Sequence, residues 1–417
     1  RDVAPSRGLG DVYKRQLQTT KNFKLIFNRG CRMTHVFIVN EQTIKIHLEY
    51  LFAGTGSSND APFLIDAQYA NPRKKTEGKI TSSAERNLAA MIADVSRIRI
   101  GDKIIFYLQS SNNNSGMFFG IFEAASEAFY QPNSNHYLTE ELGKSLNFRV
   151  LIRPHKVYAK GISEHEALDS LVCVQHPSDM CWSLIYRKLK GNRGCTMITD
   201  NEARRLEILL SAKNNDEYLE SNFFSFENNE IVASDVERIY VGQGSELDIL
   251  PRLLYKDRRN NKCESHLQAY IVQNIDKEPL KSILLEDIDD LWIGNEVSCG
   301  VGMQRIDVAT MQITENSVTI NIIELKCVEA YNEIIDNQIS WYIEWMRNYI
   351  LPTFPRKTVK INPVIITKEF KTLQALQSFR EHCETLFWTN TRNFKVNPTS
   401  LITYKTDDDN IYFKKVF

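Results

Sequence analysis

The stretch RIDVATMQITENSVTINIIELKC, residues 305–327, decides the fold of the second half of the chain. Two apolar runs flank the polar turn TENS, and this pattern predicts a β-hairpin. Asp307 lies near the start of the first run, while Glu324 and Lys326 lie at the end of the second. Residues two apart on a strand point to the same side, so the hairpin places an acid and an amine together at its end.

Two carboxylates that converge at a strand end form a natural Mg²⁺ site, because this hard cation prefers oxygen ligands and keeps several waters. The short turn lets Asp307 and Glu324 meet, with Lys326 beside them. An amine there can orient a metal-bound water and stabilise negative charge on a phosphoryl oxygen. The simpler interpretation is an ion pair between Lys326 and Asp307. The pattern favours Mg²⁺ (or Mn²⁺), because carboxylates on a buried strand are costly unless a partner offsets their charge.

The segments around the hairpin predict the element order α-β-β-β-α-β-α-β-β. Apolar periodicity over 263–275 predicts a helix that carries Glu264 near its start. A second helix over 332–350 carries Gln338 and Tyr342, which are four residues apart and therefore share one face.

The triplet Asp307, Glu324 and Lys326 resembles the motif of the PD-(D/E)XK nucleases, although Ile306 stands where that motif has proline. The stretch GVGMQRIDVATMQ, followed by INIIELK, is similar to the C-terminal nuclease domain of NucS-type endonucleases, and this resemblance covers roughly residues 256–350. It implies a restriction-endonuclease-like αβββαβ core.

The same resemblance implies roles for individual residues. Asp307, Glu324 and Glu264 would be catalytic metal ligands, and Lys326 would be the catalytic amine. Gln338 and Tyr342 match the QxxxY motif of the RecB- and Cas4-like branches and would bind DNA by helping to hold the DNA and the site together. Arg305 would contact a phosphate.

The first half of the chain predicts a small, mostly antiparallel β structure with peripheral helices. Strand patterns cover 34–40, 98–109, 116–125 and 148–159, and helical patterns cover 82–98, 162–171 and the residues from about Asp200. Ser82 or Ser83 is the expected cap of the first of these helices. The two halves together predict a mixed α+β or α/β protein.

The strings GDKIIFYLQ, GMFFGIFEAA, FRVLIRP and RGCTMITDNEARRL occur in the order seen in PUA-like domains of the EVE and YTH type, over about residues 34–212. The resemblance implies a PUA-like β-barrel that holds a base, often a modified one, in an aromatic cage. The candidate pocket residues are Asn40, Tyr107, Phe118, Phe119, Tyr130 and Trp182. The alternative is that the aromatic residues fill the core, since a small β domain must fill its interior.

The string YRKLKGNR clusters four cations around a glycine, and such a loop can contact DNA phosphates. These residues are Arg187, Lys188, Lys190 and Arg193. A solvated loop is the alternative interpretation.

Length and composition bound the remaining possibilities. A chain of 417 residues with 42% apolar and 25% charged residues predicts a packed protein of more than one domain. We expect a leader over 1–32 that is non-native or disordered, a PUA-like domain over 33–212, a connector over 213–255 and a nuclease domain over 256–417. The net charge of −1 excludes a strongly basic coat for nucleic acid.

The cysteine spacing indicates the compartment. Eight cysteines without a CxxC pair favour reduced thiols in the cytoplasm. A membrane is not an expected partner, because no apolar run approaches the roughly 20 residues of a membrane span.

These patterns lead to one main functional hypothesis, a Mg²⁺-dependent DNA endonuclease guided by a modified base. A defence role is implied by the resemblance alone. Two alternatives stay open. One is a NucS-like repair endonuclease for mismatched or branched DNA, with the first domain as a clamp or as the dimerisation module of a homodimer. The other is a nucleic-acid-binding protein without activity.

Overall fold

A computed structural model describes residues 33–72, 74, 79–111, 115–168, 194–286, 290–299, 304–385 and 388–417. The leader over 1–32 lies outside the described residues. So do Trp182 of the predicted base pocket and the four cations of the predicted phosphate-binding loop, Arg187, Lys188, Lys190 and Arg193.

The first half of the chain builds one large sheet and a separate hairpin. The strands are β1 (Thr34–Val39), β2 (Phe52–Thr55), β3 (Lys103–Leu108), β4 (Met117–Ala124), β5 (Phe129–Tyr130), β6 (Phe148–Pro154), β7 (Ile162–Ser163), β8 (Cys195–Ile198), β9 (Phe224–Glu227), β10 (Glu230–Ala233) and β11 (Ser245–Glu246). The sheet order is β11-β5-β6-β4-β3-β1-β8, with β2 paired to β6 and β7 paired to β4.

Antiparallel pairing dominates this sheet, as predicted, and the pair of β1 and β3 is parallel. Within the described residues the strand ladders follow an open path, and none closes the sheet into the predicted barrel. The separate hairpin of β9 and β10 lies in the segment predicted to be a connector. Residues 237–242 of the same segment have no regular structure.

Five helices of the described first half surround this sheet: α1 (Glu41–Glu49), α2 (Ser82–Ser96), α3 (Thr139–Leu142), α4 (Glu164–Leu168) and α5 (Asp200–Lys213). Short 3₁₀ turns cover Pro62–Leu64 and Asn133–Asn135. The cap of α2 is Thr81, whose hydroxyl accepts from the Ala84 amide at 3.2 Å, and the prediction of Ser82 or Ser83 was wrong. Helix α5 begins at Asp200 as predicted.

The second half builds a second sheet with helices around it. Its strands are β12 (Leu291–Ser298), β13 (Arg305–Ile313), β14 (Ser317–Leu325), β15 (Thr358–Lys368), β16 (Phe394–Val396), β17 (Ser400–Thr406) and β18 (Ile411–Lys415). Its α-helices are α6 (Leu250–Arg258), α7 (Glu264–Asn274), α8 (Leu280–Leu284), α9 (Ser340–Trp345) and α10 (Leu373–Glu384). The sheet order is β12-β13-β14-β15-β17-β18, with β16 paired to β15.

The element order from Glu264 onward is the predicted one, with the short helix α8 and the short strand β16 added. Strands β14, β15 and β17 are parallel to one another, and β13 pairs antiparallel with both β12 and β14. The helix predicted over 332–350 is present, but π-type turns at Ile334–Ile339 and Met346–Ile350 flank α9 within it. A 3₁₀ turn follows at Leu351–Thr353.

A buried charge cluster joins the two halves where α2 packs along α7. Glu85 of α2 is fully buried and accepts hydrogen bonds from Arg252 at 2.8 and 2.9 Å and contacts the His266 ring at 2.8 Å. Lys256 lies 3.4 Å from the same carboxylate. A buried charge is costly unless it is paired, and here the charge of Glu85 is paired with groups from the other half.

The molecule is a mixed α+β protein, in agreement with the predicted class. Its two sheets carry separate apolar cores, and only a few first-half residues, such as Met197, extend into the second core. In the part of the chain described here, every helix is too short or too polar to cross a membrane.

Candidate active site

Strand pairing brings the two predicted carboxylates together. The ladder between β13 and β14 ends at Val308 opposite Ile323, and the next residues along the two strands are Asp307 and Glu324. Asp307 Oδ2 accepts a hydrogen bond from the Leu325 amide at 2.8 Å. Directly opposed residues share a face of the sheet, so both carboxylates point the same way. Glu324 is buried, whereas Asp307 is partly exposed.

Lys326 joins this pair one residue after β14 ends. Its ammonium group lies 2.5 Å from Glu324 Oε1, and its amide donates to the carbonyl of Ile366 at 2.9 Å. Lys326 therefore forms its ion pair with Glu324 and not with Asp307. We name Asp307, Glu324 and Lys326 the carboxylate–lysine cluster.

Burial raises the pKa values of both acids, and a neighbouring negative charge adds to this in each case. Burial, with the negative charge of Glu324, raises the pKa of Asp307 well above its ordinary value. Burial raises the pKa of Glu324 as well, although Lys326 opposes this change. Burial disfavours the charge of Lys326, but Glu324 and Asp307 more than offset it and raise the pKa of the ammonium. The cluster therefore holds two acids whose ionised forms are favoured by added positive charge.

Tyr342 closes the cluster from the helix behind it. Its hydroxyl lies 2.8 Å from the Arg305 carbonyl and 3.3 Å from Glu324 Oε2. The side chain is fully buried, and its hydroxyl faces the site and not the surface. Burial and the neighbouring acids raise the pKa of this phenol, which stays protonated and able to donate.

Glu264 lies at the edge of the cluster. It is the exposed first residue of α7, and its charge acts on Glu324 and Lys326. Within the described ranges, no three His, Cys, Asp or Glu side chains are arranged to hold a metal ion. The structure thus does not assemble Glu264 as a third ligand beside Asp307 and Glu324. Two carboxylates remain, and Mg²⁺ sites commonly use one or two carboxylates with waters.

The other predicted DNA contacts lie around this cluster. Arg305 opens β13 two residues before Asp307, and its guanidinium pairs with Glu296 of β12. Gln338 is partly exposed and lies in the first π-type turn of the 334–350 helix. Arg305 is exposed and Gln338 is partly exposed, so both side chains are open to solvent.

Two neighbours of the cluster were missed by the sequence reasoning. Gln268, one helical turn after Glu264, donates to the carbonyl of Asp307 at 2.8 Å and fixes the start of β13 against α7. Trp341 is 45% exposed, although its indole donates to the Cys299 carbonyl at 2.8 Å. The i, i+4 spacing from Glu264 could have indicated Gln268. An aromatic residue next to Tyr342 on the polar face could have indicated Trp341.

The aromatic residues that the structure describes do not assemble the predicted base pocket. Phe118 and Phe119 are fully buried neighbours on β4 and pack into cores on opposite faces of the sheet. Tyr107 packs against Phe118 at 4.9 Å between ring centroids, and its hydroxyl donates to Glu164. These three side chains are core residues, and the prediction that they share a pocket was wrong.

Asn40 and Tyr130 have structural contacts as well. The Asn40 side chain caps α1 by accepting from the Thr43 amide at 2.9 Å. Tyr130 is buried, and its hydroxyl donates to Asp60. Neither side chain joins Tyr107 in a common cage.

A different group of first-half residues has unused hydrogen-bonding capacity. Thr55 Oγ1, Gln131 Nε2 and Asn147 Oδ1 are buried and have no hydrogen-bond partner among the described residues. They lie at one edge of the sheet, because β2 and β5 both pair with the start of β6. A Cβ atom on Gly56 would lie 2.6 Å from the Asn147 amide nitrogen, so this edge requires glycine at position 56. We name Thr55, Gln131 and Asn147 the polar edge.

The fold and the cluster define a mixed α+β protein with an acid-rich site at a strand end. No protein-family model matches the chain, and no curated protein matches it. Among solved structures, it is similar to a hypothetical protein from Leishmania major, with 10% identity and a TM-score of 0.25 over 44% of this chain and 97% of that one.

A second similar structure is that of human THYN1 in complex with DNA containing 5-methylcytosine. The identity is 14% and the TM-score 0.22, over 43% of this chain and 97% of that one. At these values neither likeness carries weight for fold or function, and the case for function depends on the residues themselves.

Proposed function

We propose that this protein is a metal-dependent endodeoxyribonuclease of the PD-(D/E)XK type. The observation that carries the proposal is the pairing of Asp307 and Glu324 at adjacent strand ends, with Lys326 against Glu324. Burial, with neighbouring negative charge, raises the pKa values of both acids, so a divalent cation would offset a cost of ionisation that Lys326 alone does not remove. Oxygen ligands of this kind suit Mg²⁺ or Mn²⁺.

Asp307 and Glu324 are the residues that would hold the cation, with Glu264 near enough to act through its charge. Bound there, the metal would lower the pKa of a water and polarise a phosphoryl oxygen. Lys326 then orients the attacking water and stabilises the negative charge that develops on the phosphate. Tyr342 and Gln268 hold the two strands and the two helices in register around these groups.

DNA reaches this site from the side of Arg305, Gln338 and Trp341. Arg305 supplies a positive charge to a phosphate, and Gln338 supplies an amide. The exposed Trp341 ring offers a face on which a base can stack. Arg305 lies two residues from Asp307 along β13. Trp341 directly precedes Tyr342, whose hydroxyl contacts Glu324. These positions are compatible with a phosphodiester at Asp307 and Glu324.

The polar edge, and not the group of aromatic residues, is the proposed base-reading site. Reading a base requires donors and acceptors aimed at its edge. Thr55, Gln131 and Asn147 offer such groups without partners of their own among the described residues. These atoms are buried, so a base would reach them only after the side chains that cover them move. The PUA-like assignment of the first half, the DNA partner and a modified base as the target all belong to this proposal. A repair enzyme for mismatched or branched DNA is the second candidate, favoured by the accessible Trp341.

The decisive experiment measures nicking of plasmid DNA by the full chain in Mg²⁺, in Mn²⁺ and in EDTA. We expect metal-dependent cleavage by the wild type and at least a hundredfold loss in Lys326→Ala, since a positioned catalytic group commonly contributes this much. Glu344→Gln, which breaks an exposed pair with Arg347, is the matched control and should cut normally. Equal cutting by Lys326→Ala and the wild type would refute the site. No cutting under any condition would favour the non-catalytic binding protein.

A further inference from the structure

Two cysteines flank the carboxylate–lysine cluster. Cys263 directly precedes Glu264, and Cys327 directly follows Lys326. Their sulfur atoms lie 2.9 Å apart, although the residues are 64 positions apart in the chain. Both are free thiols in this structure. A disulfide bond is about 2.05 Å long, so closing it requires the sulfurs to approach by about 0.9 Å.

The fold holds both thiols in place. Cys263 is buried and caps the start of α7, with its sulfur 4.0 Å from Asp257. Asp257 is itself held by Lys368 at 2.7 Å. Cys327 follows the last residues of β14, and it is partly exposed. One thiol is thus accessible to a reagent, and the other is buried within contact distance of it.

We propose that Cys263 and Cys327 form a reversible disulfide beside the candidate active site. The oxidant is a small-molecule disulfide such as oxidised glutathione. The accessible Cys327 loses its proton and its thiolate attacks one sulfur of the oxidant, which releases one glutathione thiolate. Cys263 then loses its proton and attacks the Cys327 sulfur, which releases the second. Two protein thiols are oxidised by two electrons, and one small disulfide is reduced to two thiols.

The bond would tie the start of α7 to the end of β14. These are the two backbone segments that carry Glu264 and Lys326. A link between positions so far apart in the chain constrains the unfolded state and so stabilises the folded one. Its effect on cleavage depends on the proposed function: Lys326 must leave Glu324 when a cation enters, and a bond that pins the adjacent residue restrains this change. We therefore expect the oxidised form to cut DNA more slowly.

The experiment equilibrates the full chain in buffers with different ratios of reduced to oxidised glutathione, blocks free thiols by alkylation and maps the peptides by mass spectrometry. We expect a peptide pair joined through Cys263 and Cys327 in the oxidising buffers, its disappearance on reduction, and a higher urea midpoint in the oxidised sample. Cys263→Ser and Cys327→Ser should each abolish the link and the shift. Cys383→Ser, at a buried thiol of α10, is the control and should keep both.

Two results would overturn the disulfide. One is alkylation of Cys263 and Cys327 to the same extent in every buffer, and the other is a glutathione adduct on Cys327 that never resolves to the internal bond. Cleavage assays on the same samples separate this inference from the nuclease proposal. If the link forms and no sample cuts DNA, the nuclease proposal fails while the disulfide stands.

Discussion

The hydroxyl of Tyr342 lies 3.3 Å from Oε2 of Glu324, and the same hydroxyl lies 2.8 Å from the Arg305 carbonyl. One buried phenol therefore touches both strands of the hairpin that carries the acids. Glu324 is held on its other oxygen by Lys326 at 2.5 Å. The carboxylate is thus held at both oxygens in the absence of a ligand, and Lys326 has to release one of them before a cation can bind there.

Tyr342→Phe removes this hydroxyl and keeps the ring. We expect kcat for DNA cleavage to fall by about tenfold, since a hydrogen bond to a charged group contributes about 1.5 kcal/mol, while KM stays unchanged because the residue is buried. Steady-state cleavage kinetics in Mg²⁺ measure both constants. Tyr270→Phe, at a phenol of α7 outside the cluster, is the control. A rise in KM with unchanged kcat would mean that Tyr342 contacts DNA after all.

The raised pKa of Asp307 predicts that its charge lowers the stability of the metal-free fold, although the proposed function needs this charge. An acid whose pKa is higher in the folded state than in the unfolded state destabilises the fold when it is ionised. Near neutral pH the charge of Asp307 therefore lowers the free energy of unfolding in the absence of metal. Asp307→Asn keeps an oxygen for the Leu325 amide and removes the charge. We expect this variant to gain about 1 kcal/mol in EDTA by urea unfolding and to lose DNA cleavage.

Added Mg²⁺ should make the wild type more stable than Asp307→Asn, which is the reverse of their order in EDTA. A cation that binds only the folded wild type raises its unfolding midpoint in proportion to the logarithm of concentration. The midpoint of Asp307→Asn should not respond. Asp336→Asn, at an exposed acid paired with His382, should behave as the wild type in both solutions. A Mg²⁺ response in Asp307→Asn equal to that of the wild type would remove Asp307 from the metal site.

Much of the second half was predictable from sequence because its strands are long and buried. The hairpin over 305–325 followed from two apolar runs around a polar turn, and its ends brought Asp307 and Glu324 together as expected. The contacts of Tyr342 were not predictable. An i, i+4 argument assumes about 3.6 residues per turn, and the π-type turn at Ile334–Ile339 changes the rotation of the helix just before Tyr342.

In the first half, strand alternation and helix capping signals were sufficient to predict some features that were missed. Phe118 and Phe119 are adjacent on a strand, so they had to face opposite ways and could not line one pocket. Helix α1 was missed because it is short, although Asn40 with Thr43 forms a capping box that marks its start. The polar edge could not be inferred from sequence at all, because it depends on β2 and β5 meeting at the start of β6.

The polar edge can be tested by a nearly isosteric change. Thr55→Val removes a buried hydroxyl that has no partner among the described residues, so the fold should be unharmed or slightly more stable. If this hydroxyl reads a base, the variant should lose its preference between plasmids with and without modified bases while it keeps its basal cutting rate. Thr319→Val, in the second sheet, is the control. Unchanged preference would place base reading elsewhere.

Trp341 is expected to stack on DNA. Trp341→Ala should weaken binding of a single-stranded oligonucleotide by about tenfold, because stacking contributes about 1–3 kcal/mol per base. Fluorescence anisotropy in EDTA measures binding without cleavage. Tyr412→Ala removes a ring of similar exposure from β18, which is the last strand in the sheet order and lies away from the β13–β14 hairpin. This variant should bind as the wild type does. Equal losses in both variants would mean that the effect is not specific to the site.

Glu85 predicts how the junction of the two halves responds to acid. Burial would raise its pKa, but Arg252, His266 and Lys256 outweigh burial and lower the pKa to about 2, from an ordinary value of 4.5. An acid whose pKa is lowered by folding stabilises the fold at pH values above its unfolded pKa. For Glu85 this contribution is lost as pH falls from about 4.5 to about 2. The contribution at neutral pH is on the order of 3 kcal/mol.

Glu85→Gln should therefore cost about 3–5 kcal/mol at pH 7, because it leaves Arg252 buried without its counter-charge. The difference from the wild type should narrow as pH falls below about 4.5, where the wild type begins to lose the same contribution. Urea unfolding across this range measures it. Glu344→Gln, whose pair with Arg347 is exposed, should follow the wild type within about 0.5 kcal/mol. A constant difference between Glu85→Gln and the wild type at all pH values would show that the charge of Glu85 is not what joins α2 to α6 and α7.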